Sequence, residues 1–182
     1  MIRILGIDCG SSATGYGLID SDGRSSTRVA SGVIRNRPRS PFPERLRRIS
    51  ESLRDLIQVH SPAAMAVEGV FHSVNPRSAL QLGHVRGIAL LAAAESNLPV
   101  YEYSALQIKS SVVGYGHAEK AQVQAMVSVL LKLPDKPPED AADALAVALC
   151  HAHHSWALKR LNRSAPAHPT PPRPQRVLVA PS

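Results

Sequence analysis

Four carboxylates stand where a folded chain seldom leaves them. Asp8 ends the apolar run Ile4-Leu5-Gly6-Ile7, and Glu68 ends Met65-Ala66-Val67. A carboxylate at the end of a buried strand loses its hydration and needs a cation or hydrogen-bond donors in return. Asp140 and Asp143 follow Pro137-Pro138 and are three residues apart, so on a helix they share one face. Taken alone, that segment reads first as a helix start, with acids capping free N–H groups at the positive end of the dipole. Its company changes the reading. The residues from Ala141 to Cys150 are otherwise small or aliphatic, so Asp143 sits on a helix expected to be buried. Four clustered carboxylates could not all ionise without cations. Oxygen-only donors suit Mg²⁺ or Mn²⁺ rather than zinc, and a pair of such ions on shared carboxylates is equipment for phosphodiester cleavage.

The elements that must carry these acids follow from periodicity. Residues 2–8, 14–20 and 27–34 read as three short strands joined by tight turns, an antiparallel meander. Leu46, Ile49, Leu53, Leu56 and Ile57 then recur at helical spacing after Pro41 and Pro43. A short strand over 63–69, a helix over 77–96, a strand over 99–103, a helix around Val123–Leu131 and a last helix over 140–154 complete an α/β layered domain. The helix over 77–96 lacks a wide polar face, which suits a subunit interface as well as a core.

The chain has 182 residues, 44% of them hydrophobic, enough for one domain, placed at 1–154. Residues 155–182 hold five cations and no acid and are expected to form a flexible, basic, proline-rich tail. The net charge of +7 points to a polyanion partner. No apolar run approaches the ~18 residues of a membrane span, and the first residues lack the plan of a signal peptide, so a cytoplasmic protein without a membrane partner is expected. Cys9 and Cys150 are too few for a disulfide framework and read as small buried hydrophobes. His151, His153 and His154 read as cations at a helix end in preference to a metal site. Gly10, Gly15 and Gly17 lead into a strand, so the dinucleotide fingerprint fails. They are expected to serve a tight hairpin and a close approach of backbone to site or substrate.

Several motifs, in order, resemble the RuvC family of bacterial crossover (Holliday) junction endodeoxyribonucleases. They are Ile4 to Gly10, Thr14-Gly15-Tyr16-Gly17, Val67-Glu68, Ala79 to Gly83 with Arg86-Gly87, Lys109 with Val112-Val113-Gly114, Ala118 to Val123, and Asp140 to Ala146. The first alone is shared by many ribonuclease-H-like proteins and actin-like ATPases; the last two together are specific. The resemblance implies a ribonuclease-H-like fold, a five-stranded mixed sheet flanked by helices. It implies a homodimer that nicks a four-way DNA junction symmetrically in recombination and repair, beside the branch-migration helicase complex of the Ruv system. Two Mg²⁺ per site are implied, with Mn²⁺ able to substitute. By position, Asp8, Glu68, Asp140 and Asp143 match the catalytic, metal-binding carboxylates. Phe71 matches an aromatic used at the junction, Lys109 and Lys120 match basic residues near the scissile strand, and Arg77 is a further DNA-binding candidate. Cys9 stands where the family usually has Pro, and Ser12 where it often has a basic residue. Other readings are a nuclease for structured RNA, a non-catalytic junction-binding protein, and an actin-like ATPase, for which the chain is short.

Overall fold

Sheet order and helix placement follow from which strand faces are apolar. A computed structural model describes residues 1–69 and 76–164, the last seven as backbone. Its elements are β1 (Ile2–Asp8), β2 (Ala13–Ser21), β3 (Ser26–Arg35), α1 (Phe42–His60), β4 (Ala64–Glu68), α2 (Pro76–Glu95), β5 (Val100–Tyr103), α3 (Ala105–Val113), α4 (Lys120–Leu130) and α5 (Glu139–Ser164). One sheet runs β3-β2-β1-β4-β5. The first three strands are an antiparallel meander, while β4 joins β1, and β5 joins β4, in parallel. This is the expected five-stranded mixed sheet. Leu5, Ile7, Met65 and Val67 face Ile49 and Leu53 of α1 and Val85 and Ala89 of α2. Ile4, Ile19 and Ala66 face the other way, onto α3, α4 and α5. Alternation along β1 thus buries both sides of a central strand.

Helix α5 comes so near the sheet that only glycine fits beneath it. A Cβ on Gly15 would stand 1.9 Å from the Asp140 carbonyl oxygen, and one on Gly6 would stand 2.1 Å from that of Ala144. The close approach expected of Gly15 to the site is met at the Asp140 backbone.

Four features depart from the sequence reading. Helix α3 was not anticipated; it starts at Ser104, whose hydroxyl accepts from the Gln107 N–H while Gln107 caps the Ser104 N–H in return. Helix α5 runs to Ser164, ten residues past its expected end, and residues 165–182, most of the expected tail, lie outside the described residues. The three histidines are therefore mid-helix and do not meet the helix end as cations. His151 is buried with its Nδ1 at 2.8 Å from the Tyr103 hydroxyl, His153 meets Ser111, and His154 meets the Cys150 carbonyl at 3.0 Å. Cys150 is buried as expected, whereas Cys9 is partly exposed.

Arg3 and Asp20 face each other across β1 and β2 and share two hydrogen bonds of 2.8 Å. The guanidinium holds the Asp20 carboxyl below the usual carboxylate range, first by hydrogen bonding and then by charge. A depressed acid stabilises the fold above its unfolded pKa, and that gain is lost as pH falls through the folded value. Asp20→Asn is accordingly expected to lower the melting temperature at neutral pH, with the difference from the parent closing by about pH 2. Melting curves across a pH series check this.

Candidate active site at the carboxyl ends of β1 and β4

Two parallel strands end side by side in acids. Ile7 pairs with Val67, so Asp8 and Glu68 leave neighbouring strands at the same sheet end. Asp8 is also opposite Gly15, the residue on which Asp140 of α5 rests. Asp140 lies in the first turn of α5, after Pro137-Pro138, and Asp143 follows one turn on, directly before the Ala144 that meets Gly6. Backbone contact through two glycines thereby sets the helix acids against the strand acids.

The four carboxylates share one electrostatic neighbourhood. Burial, then the Asp143, Glu68 and Asp140 carboxylates, push the Asp8 carboxyl up to about 7, with Lys120 acting the other way. Glu68 is raised as well, by burial and then Asp143, against Lys120 and Lys109. Asp143 keeps only 18% of its side chain exposed. Among the described residues, no three His, Cys, Asp or Glu side chains stand close enough, as positioned, to hold one metal ion. The chemistry of the donor set nevertheless fits a hard divalent cation: four carboxylates, two of them raised above their ordinary pKa by burial and by the other carboxylates.

Lys120, at the start of α4, belongs to this cluster. Its Nζ is 3.0 Å from Asp143 and 2.6 Å from Glu139, and these bonds raise its own pKa. Lys109 of α3 lines one cleft together with Glu68, Lys120 and Asp143. The lysines that meet the acids in space, Lys109 and Lys120, come from other elements, far from Asp8, Glu68 and Asp143 along the chain. Arg77 sits exposed in the first turn of α2 and is not among the residues lining that cleft. Phe71 lies outside the described residues. Glu139 was not singled out from sequence; its only signal was its place beside Asp140.

Comparison with known proteins identifies the family. The model of the family described as crossover junction endodeoxyribonuclease RuvC matches residues 4–151. A relative of that name from Koribacter versatilis is 49% identical over 166 residues, 90% of this chain and 100% of that protein. The solved structure of T. thermophilus RuvC in complex with Holliday junction substrate is 33% identical with a TM-score of 0.82, covering 86% of this chain and 96% of that one. The yeast mitochondrial Holliday junction resolvase shares the fold at a TM-score of 0.63 and 14% identity, covering 89% and 84%.

Proposed function

The chain belongs to the RuvC family of crossover junction endodeoxyribonucleases, and from that premise we propose that it resolves four-way DNA junctions by symmetric nicking in recombination and repair. The observation that carries the reading is the convergence of Asp8, Glu68, Asp140 and Asp143, from two strands and one helix, at a single sheet end. These residues would hold divalent cations, which we assign as two Mg²⁺ with Mn²⁺ able to replace them. When bound, such ions polarise a phosphodiester and activate the attacking water.

The protein's own contribution is to hold acids and lysines in place around the reacting bond. The sheet end and the glycine-seated helix keep the carboxylates within one small volume. Lys120 and Lys109 supply positive charge on the α3–α4 side, where a negatively charged phosphodiester is drawn towards the acids. Water attack in line with the leaving oxygen gives 5′-phosphate and 3′-hydroxyl ends. The direct test is nicking of a four-way junction with and without Mg²⁺. Metal-dependent, symmetric nicks are expected; cleavage of structured RNA alone, or junction binding without nicking, overturns the reading.

A two-site enzyme must be a dimer, and α2 offers the surface. Leu80 and Leu91 are 67% and 50% exposed, and with Leu46 and Ile88 they line an apolar groove. A Cβ on Gly83 or Gly87 of the same groove would meet nothing within 4 Å among the described residues, so these glycines leave room for a second helix. Leu80→Arg is expected to shift the protein from dimer to monomer in sedimentation velocity, with its fold retained. Among the described residues no helix is long and apolar enough to cross a membrane. A cytoplasmic location, a partnership with the branch-migration helicase complex, and a boundary between nuclease domain and basic tail complete the proposal.

A further inference from the structure

The cations of the structured body are not spread evenly. Between residues 35 and 48 lie six arginines and one acid, Glu44. The structure puts them at the sheet end that holds the acids. Arg35 closes β3, and its neighbour Asn36 is tied to the loop that follows Asp8. The Asn36 N–H donates to the Ser12 carbonyl at 3.1 Å, and its Nδ2 donates to the Ser11 carbonyl at 3.0 Å. The arginines on either side, Arg35 and Arg37, are exposed. The loop closes on itself through Ser40 N–H to the Arg37 carbonyl at 3.2 Å and Arg45 Nε to the Ser40 carbonyl at 2.9 Å. Arg37, Arg47 and Arg48 line one polar cleft with Asn36 and Ser40. Glu44 and Glu51 border it too, and Glu51 takes the charge of Arg47 at 3.1 Å. No acid among the described residues pairs with Arg35, Arg37 or Arg48.

We infer that this arginine surface is a second DNA-contact site, which grips the phosphate backbone of a duplex arm as it leaves the acids. The inference rests on the endonuclease reading above and deepens it. Strand β3 is two strands from β1, about 10 Å across the sheet. One turn of duplex spans about 34 Å, so an arm that enters at Asp8 passes the arginines within its first turn. Lys109 and Lys120 lie away from β3, in the cleft that Glu68 at the end of β4 shares with α3, α4 and α5. Cations on both flanks fit a long polyanion that runs across the site. Guanidinium groups suit this task because their fork matches paired phosphate oxygens.

The test uses the full chain. Arg37→Gln/Arg48→Gln is compared with Arg24→Gln/Arg28→Gln, which removes the same charge around the β2–β3 turn, at the other end of the same strand. Binding to an uncut four-way junction is measured without divalent cation over a salt series, and nicking with Mg²⁺ is measured alongside. Arg37→Gln/Arg48→Gln is expected to weaken binding about tenfold near physiological salt and to flatten the log–log salt slope by about two. The control pair is expected to change both far less, and equal melting temperatures show that both pairs fold. An equal loss in the two pairs overturns the inference, because the effect is then of net charge only. Unchanged binding in Arg37→Gln/Arg48→Gln also overturns it, and is the outcome expected if the surface serves an acidic protein instead. Failure of the parent chain to nick the junction overturns the endonuclease reading, which the binding comparison does not touch.

Discussion

Asp8→Asn is expected to abolish junction nicking, by roughly 10³-fold or more, well beyond the 10–100-fold cost of losing a group that only supports a metal ligand. Asp8 lies on the central pair of strands and feels all three other carboxylates, so no neighbour can replace it. Binding of the uncut junction should be kept or tightened, since one negative charge facing a phosphodiester is gone. The same change should raise the melting temperature without divalent cation, because it removes a carboxylate that burial first, and repulsion by its three neighbours second, push up to about 7. Added Mg²⁺ should then stabilise the parent more than the variant. A variant that nicks at a comparable rate overturns the four-acid assignment. Loss of binding together with loss of nicking would instead place Asp8 in the fold.

The second large effect is expected from a residue with no functional group. Gly15→Ala puts a methyl group 1.9 Å from the Asp140 carbonyl oxygen and 2.5 Å from its carbon. Both are backbone atoms, so the start of α5 must lift. Overpacking of this kind costs about 1–3 kcal/mol. The catalytic loss should be larger than the stability loss suggests, since a displacement near 1 Å can cost about 10²-fold in rate. Asp140 and Asp143 ride on the part that moves. Single-turnover nicking at saturating Mg²⁺, measured beside thermal melting, separates the two effects. A folded variant with unchanged turnover would show that the acids tolerate displacement.

The acids were legible because burial and charge conflict visibly in a sequence. An apolar run that stops at Asp8 or Glu68 is a local signal, and two prolines before Glu139-Asp140 mark a helix start. Lys120 was harder to place, since its pairing with Asp143 depends on how α4 packs on α5. Helix α3 was missed because a nine-residue helix with only Ile108 and Val112 buried carries too little periodicity. The end of α5 was misplaced for a similar reason. Residues 155–164 lose the alanine-rich pattern, but no proline stops the helix until Pro166. The histidine reading failed with that boundary. The arginine surface was hidden by summing charge over the whole body, where the acids of the active site offset it.

The order of the strands also governs when the enzyme becomes active. Asp8 and Glu68 are neighbours in space but are separated along the chain by β2, β3 and α1, and the last two acids arrive only with α5. A growing polypeptide that has emerged from the ribosome only as far as β5 holds half of the carboxylates and none of the helix that seats the rest. Parallel pairing of β1 with β4 closes a long loop and is slow for that reason. A chain that stops before α5 therefore lacks Asp140 and Asp143 and the helix that seats them, and is expected not to cut.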